Sequence, residues 1–477
     1  MSTDTAVRRT KIVATIGPAS RSVERMTELI DAGADVFRLN FSHGTREDHA
    51  ENVERAREAA GRAGREIGLL GDLPGPKLRL SNVEGGRVEL EAGSELTLTT
   101  DEIAGTSQRL PLSWEGLPSA VKPGDEVYLA DGRIRLRVLE SAEHEVRCEV
   151  EAGGPVSSHQ GLNLPGAELP LPSAGRADLE WVDFAIEHGI DLLAISFVRR
   201  AEDITPVERR IRTSGADIPV IAKIEKPQAA ERSEEIVKAA TAGIMVARGD
   251  LGIELPIEQV PGVQRALLRL AGNHARPSIT ATQMLASMVD SPRPTRAEVS
   301  DVSAAILQGT DAVMLSEETA VGDYPVEAVA VMNRIARATE PDLPYDNWLF
   351  NRVATDPSDV AGSVARAAVG STYTLGLAAI VVPTRSGRTA RLVSAQRPRV
   401  PVLAVSPRLE TVRRLQVLFG VSCVLAEDWE GLRDLLDDCA RLAKDAGVAT
   451  SGDLIAITAG LPEQELGTNL FEIHRVP

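Results

Sequence analysis

The chain has 477 residues, 43% of them hydrophobic and 3% aromatic, with a formal net charge of −17. This length predicts two or three domains, and the acidic balance argues against a general nucleic-acid or membrane binder. No apolar run approaches a membrane span. The opening MSTDTAVRRTKIV lacks a signal-peptide core, and Cys148, Cys423 and Cys439 form no CxxC pair. The expectation is a cytoplasmic enzyme whose cores rest on Val, Ile, Leu and Ala. An anionic substrate would need a local basic pocket.

In chain order, Thr10–Gly17 reads as a buried strand. Ser22 is placed to cap the next helix, whose apolar stripe is Met26, Leu29 and Ile30, and Gly33 to stop it. Asp35–Asn40 and Glu66–Asp72 are the second and third strands, around a polar helix from about Thr45 to Gly64. From Pro76 to Pro172 the pattern changes to short β-rich runs: Arg87–Leu90, Glu95–Thr99, Glu126–Leu129 and Ile134–Val138. Gly and Pro punctuate them, which predicts a small all-β insertion.

Alternation then resumes. Strands are expected at Leu192–Phe197, Ile218–Glu225, Gly243–Ala247, Ser278–Ala281 and Ala312–Ser316. Helices are expected at Ala177–His188, Ala201–Ser214, Gln228–Thr241, Val263–His274, Arg296–Gln308 and Val326–Ala338. Three strands before the insertion and five after it predict a closed (β/α)8 TIM barrel, from residues 1–75 and 173–345, with a small all-β domain inserted at 76–172. An open doubly wound sheet is the alternative, but no early Gly-rich dinucleotide fingerprint supports it. Pro341–Asp359 reads as a polar connector to a separate C-terminal α/β domain at 355–477, with strands at Ala378–Val382, Val402–Val405, Val421–Ala426 and Leu454–Thr458.

The chemistry-bearing residues cluster at strand ends. In VFRLNFSHG, Arg38, Asn40 and Ser42 alternate with Phe37, Leu39 and Phe41, so a strand puts the polar set on one face. Arg38 there suits a phosphate grip or a structural ion pair. Lys223 and Glu225 share a face in the same way, and Asp250 ends the following apolar run. Glu225 and Asp250 are hard oxygen donors suited to magnesium, and Gly249 allows close backbone approach. A purely structural Lys223–Glu225 pair is the alternative. Thr282 follows a strand and is expected to open a helical run, as a carboxylate anchor or a helix cap. Thr295 with Glu298 forms a capping-box pattern. Thr384, Arg385, Ser386, Gly387, Arg388 and Thr389 follow a buried strand and open a helix, a candidate phosphate cradle or an ordinary cap.

Together, TKIVATIGPAS, FRLNFSHG, GLNLPG, AKIE, MVARGDLGIELP, ATQMLASM, PRPTRAE and MLSEETAVGDYP, in this order and spacing, resemble the pyruvate kinase family over nearly the whole chain. The resemblance implies a glycolytic phosphotransferase that moves phosphate from phosphoenolpyruvate to ADP, giving pyruvate and ATP. It implies that Arg38 grips the phosphoryl group and that Glu225 and Asp250 hold Mg2+ (or Mn2+). Lys223 would stabilise the transferring group and the enolate. Thr282, with the backbone from Ala247 to Asp250 (Gly249 included), would hold the substrate carboxylate. Asn40, His43 and Arg79 would lie near the nucleotide phosphates, and Ser316 with Glu318 near a proton relay. The resemblance makes the insertion a small β-barrel lid domain and the C-terminal α/β domain a regulatory domain, and it implies a homotetramer.

Two departures from the family pattern stand out. The resemblance gives Asn40, Ser42 and Asp72 as monovalent-cation ligands, yet the segment after strand three reads Asp72-Leu73-Pro74-Gly75-Pro76-Lys77-Leu78-Arg79. It resembles the potassium-independent branch, with the Lys77 ammonium in the role of the cation. In the lid, Gln160 stands where a lysine is common. The resemblance makes Thr384–Thr389 an effector site for a phosphorylated small molecule, with ITAGLPEQELGTN lacking the Trp and Arg that support fructose 1,6-bisphosphate binding in some relatives. A catalytically silent phosphoenolpyruvate-binding regulator and a magnesium-dependent barrel lyase are the competing functions.

Overall fold

The computed structural model describes residues 8–76, 78–112, 114–130, 132–165, 171–351, 359–429, 431–460 and 467–477. Eight parallel strands close into a barrel in chain order: Lys11–Thr15, Val36–Asn40, Gly68–Asp72, Leu192–Ile195, Val220–Ile224, Gly243–Ala247, Ser278–Ala281 and Ala312–Leu315. The last pairs with the first, Lys11 opposite Ala312. Strands buried on both faces read as continuous apolar runs. Ile12, Ala14, Phe37 and Leu39 pack outward on the helices, while Val13, Val36, Leu70 and Met245 point inward.

The helix signals hold locally. Ser22 accepts the Arg25 N–H at 3.2 Å, and Gly33 ends helix Val23–Ala32. Thr295 and Glu298 form the expected capping box on helix Arg296–Leu307. Other helical assignments differ. The expected Ala201–Ser214 helix is a 3-10 turn, Ala201–Ile204, followed by α-helix Thr205–Thr213. The expected Gln228–Thr241 helix is two pieces, Pro227–Glu231 and Ser233–Ala239, broken at Arg232. An unforeseen helix, Arg248–Glu254, follows Ala247, so Gly249 and Asp250 lie in its first turn and not at a strand end. The connector contains helix Tyr345–Asn351, seated by the buried Tyr345 and Leu349.

The insertion carries a seven-stranded sheet whose edges are Leu78–Arg79 and Arg109–Pro111. A bridge from Leu80 to Leu112 and the Ser81 N–H to Pro111 carbonyl bond at 2.8 Å join those edges, giving the small barrel expected. Its core is Leu96, Leu98, Leu110, Val127, Leu136, Val146 and Cys148. Where the chain leaves the main barrel for the insertion, Gly75 has φ +64°, and a Cβ there would lie 2.9 Å from the Ser196 Cβ and the Phe197 ring. Only glycine fits this hinge without strain.

The C-terminal domain is a five-stranded sheet ordered Val421–Leu425, Val402–Ser406, Ala379–Pro383, Leu454–Ala459, Leu470–Arg475. The last strand runs antiparallel on the edge and has no counterpart in the sequence reading. The domain packs beneath the barrel. Ile380, Val382, Val402, Leu415, Val417 and Val421 form one buried cluster with the barrel-interior residues Val13, Leu192, Ile279 and Ala312. Arg397 enters this floor almost fully buried. Its guanidinium lies 2.7 Å from Asp311 Oδ1, donates to the Gly309 carbonyl at 2.5 Å, and stacks 4.3 Å from the Phe419 ring centre.

Candidate active site

The sequence-predicted residues meet at the carboxyl ends of the barrel strands. Arg38 donates from Nε to Asp72 Oδ2 at 2.7 Å and from a terminal nitrogen to Thr15 Oγ1 at 3.1 Å. Lys223 Nζ lies 2.8 Å from Glu225 Oε1 and 3.2 Å from Asp72 Oδ1, and donates to Ser196 Oγ at 2.8 Å. Ser196 in turn donates to the Leu73 carbonyl at 2.7 Å. Glu225 Oε2 accepts the Phe197 amide at 2.8 Å. Arg38, Asp72, Lys223 and Glu225 therefore form one continuous charged network. The period-two reading of both strands holds, because Phe37, Leu39, Ala222 and Ile224 all face the outer shell.

Burial and charge compete in this network. Burial opposes the Lys223 ammonium, but Asp72 and Glu225 outweigh it and hold its pKa above the ordinary lysine value. Burial pushes the Glu225 carboxyl up, Lys223 pulls it down, and nearby Asp250 pushes it up again; the net shift is upward. Burial also works against Asp72, but Lys223 and Arg38 win and hold it below the usual carboxylate range. Lys223 thus remains a cation at neutral pH inside a low-dielectric pocket.

Glu225 Oε1 and Asp72 Oδ1 are buried and ion-paired to Lys223 but lack an aligned hydrogen bond. Among the described residues, no three or more His, Cys, Asp or Glu side chains form a cage. The donor set that suits magnesium, commonly held by one or two carboxylates and completed by water and phosphate oxygens, is Glu225 with nearby Asp250.

Thr282 does not cap a helix. Its φ is +67°, Gln283 follows at +52°, and the next regular α-helix begins at Arg296. The left-handed backbone is held by side-chain contacts: Thr282 Oγ1 accepts the Gly249 amide at 2.7 Å and donates to the Ala281 carbonyl at 2.6 Å. Arg248 donates to the Thr282 carbonyl at 2.8 Å and pairs with Asp301 at 2.6 Å. Glu318 accepts the Ser316 amide at 2.7 Å and the Leu285 amide at 3.1 Å, and burial raises its pKa. Asn40, Ser42 and His43 form a turn in which Asn40 Oδ1 accepts the Ser42 amide at 3.2 Å. Arg79 lies on the lid strand Leu78–Arg79 and donates to the His159 carbonyl at 3.2 Å. Lys77 lies outside the described residues.

In the C-terminal domain, Thr384, Arg385, Ser386, Arg388 and Thr389 line a cleft with Asp428, Trp429, Gly460 and Thr468, and Gly387 of the same segment does not. Thr384 Oγ1 accepts the Gly387 amide at 3.0 Å, so it also serves as an ordinary turn cap. Arg385 pairs with Asp428 at 2.7 Å. Sequence reasoning missed Thr15, Ser196, Phe197 and Arg248. The first is a single hydroxyl in an apolar strand and the second follows one directly, and only the fold shows their partners.

The comparisons agree with this geometry. Residues 7–329 match the family model described as pyruvate kinase, barrel domain, and residues 362–474 the model described as pyruvate kinase, alpha/beta domain. A pyruvate kinase of Thermococcus litoralis is 42% identical over 476 residues, covering 98% of this chain and 99% of that relative. One from Geobacillus stearothermophilus is 42% identical over 471 residues, covering 98% and 80%. The crystal structure of a pyruvate kinase from Cryptosporidium parvum superposes with a TM-score of 0.92 at 36% identity, covering 98% of this chain and 96% of that one. On these matches and on the barrel and site they span, the chain belongs to the pyruvate kinase family.

Proposed function

We propose that the chain transfers the phosphoryl group of phosphoenolpyruvate to ADP, giving ATP and pyruvate. The observation that carries this is the Arg38–Asp72–Lys223–Glu225 network, with Asp250 beside it, at the open end of the barrel. Arg38 grips the phosphoryl oxygens, and Lys223 faces the charge that develops on them and on the enolate oxygen. Gly249, Asp250 and Thr282 form the pocket for the substrate carboxylate. A terminal phosphate oxygen of ADP attacks phosphorus, the bond to the enol oxygen breaks, and the enolate is protonated at carbon to give pyruvate. Ser316 and Glu318 lie on the side assigned to that proton. Glu225 and Asp250 would hold Mg2+ (or Mn2+), which when bound neutralises phosphoryl charge. Asn40, His43 and Arg79 face the nucleotide phosphates, and residues 76–172 act as a lid that excludes water. A cytoplasmic homotetramer regulated by a phosphorylated metabolite at Thr384–Thr389 completes this reading. No described helix is long and apolar enough to cross a membrane.

Mixing the protein with phosphoenolpyruvate, ADP and magnesium should yield equal amounts of pyruvate and ATP. Phosphoenolpyruvate binding without ATP, with and without phosphorylated effectors, would favour the silent regulator. We further propose that potassium is not required, because Lys77 stands in the sequence where the potassium-dependent family pattern has an acidic residue. Rates in sodium or tetramethylammonium buffer should match those in potassium. A large potassium-dependent gain would overturn this assignment.

A further inference from the structure

Lys226 and Glu254 form an ion pair that the reaction chemistry leaves unused. Both side chains are almost wholly buried, at 10% and 1% exposure. Burying two charges is costly and rarely adds net stability, so the position of the pair is informative. Lys226 directly follows Glu225 and precedes helix Pro227–Glu231. Glu254 ends helix Arg248–Glu254, four residues after Asp250. Residues four apart on a helix are neighbours on one face. The pair therefore ties the segment carrying Glu225 to the helix carrying Asp250.

A second contact extends the tie. The Lys226 ammonium lies 5.7 Å from the Phe197 ring centre, within cation–π range. Phe197 has φ +55°, an uncommon backbone conformation for a bulky residue. Three contacts hold it there: its amide on Glu225 Oε2 at 2.8 Å, its carbonyl accepting Ser173 Oγ at 2.8 Å, and its ring beside Lys226. Ser173 follows the chain's return from the inserted domain. The Phe197 and Lys226 side chains also line the small cavity at this hinge, with Leu78, Leu162 and Leu171. One buried ion pair thus touches both carboxylate-bearing segments and the hinge.

We propose that Lys226 and Glu254 are positioning residues: they fix the spacing and orientation of Glu225 and Asp250 for a divalent cation. This rests on the reading that those two carboxylates hold the metal. Groups that orient metal ligands typically cost about 10–100-fold in metal affinity or activity when replaced.

The test is Mn2+ affinity without substrate, measured by water-proton relaxation, beside the thermal midpoint. The variant Lys226→Met/Glu254→Gln removes both charges and nearly keeps the shape, so no lone buried charge remains. Its Mn2+ affinity should fall about tenfold or more, with a higher metal requirement for turnover and a thermal midpoint near that of the parent. Lys226→Arg should recover part of the affinity. Mn2+ affinity within twofold of the parent overturns the proposal, whether or not the midpoint moves. If the double variant does not fold, Glu254→Gln alone is read by the same criterion. Glu225→Gln is the control. If it binds Mn2+ normally, the metal reading itself fails; if it loses Mn2+ while the double variant keeps it, only the positioning role fails.

Discussion

Lys223→Met should lower kcat by roughly 10²–10³-fold, the usual cost of losing one preorganised charge-stabilising group. Methionine keeps the length of the side chain but removes the charge that faces Asp72, Glu225 and Ser196. The fold should survive, because Asp72 keeps its 2.7 Å contact with Arg38 and Glu225 keeps the Phe197 amide. The pH profile should move as well. Lys223 is the largest influence pulling the Glu225 pKa down, against burial and Asp250. Without it that pKa rises further, so the carboxylate is protonated at higher pH and the acid limb of activity shifts upward. Steady-state rates across pH, with circular dichroism to confirm the fold, decide the matter. Turnover close to the parent's would remove Lys223 from the mechanism.

Arg397→Met should destabilise the protein by about 3–5 kcal/mol, the cost of breaking a buried ion pair from one side. Asp311 would remain buried at the barrel floor without its guanidinium, holding the Ser278 amide and hydroxyl at 2.9 and 3.1 Å and the Phe419 amide at 3.4 Å. Arg397→Lys should recover only part of the loss. An ammonium restores the charge but cannot stack flat on Phe419 while donating in fixed directions to Asp311 and Gly309. Urea unfolding of the three proteins checks this. A methionine variant within about 0.5 kcal/mol of the parent, the range of an ordinary surface substitution, would contradict it.

The barrel was legible in the sequence because parallel strands buried on both faces leave long apolar runs, and eight such runs occur. The charged network was legible for a related reason. Arg38 and Lys223 interrupt those runs at alternate positions, and a strand has only two faces. Other features depend on partners distant in sequence. Helix Arg248–Glu254 was hidden because RGDLGIE contains two glycines, poor helix formers, and because its Asp250 read as the end of the preceding strand. Thr282 followed a strand and preceded an apolar stretch, so a helix start was expected. Its left-handed backbone is imposed by Gly249 and Arg248, more than thirty residues earlier. Arg397 and Asp311 are separated by 86 residues, and neither carries a local signal of its partner. Strand Leu470–Arg475 is a half-buried edge, whose partial exposure leaves a weak hydrophobic pattern.

The shared floor cluster bears on how such chains can be rearranged. Its inward-facing barrel side chains are covered by Ile380, Val402, Leu415 and Val421 rather than by water. The C-terminal domain is therefore the stopper of the barrel as well as an appendage to it. A catalytic half cut free at the connector would display an apolar disc and should self-associate. A domain borrowed from another lineage would be accepted only if it brought a matching apolar face and an arginine for Asp311. Recombination between such chains should then preserve the two halves together, while the inserted domain, joined through a narrow hinge, is the freer part to exchange.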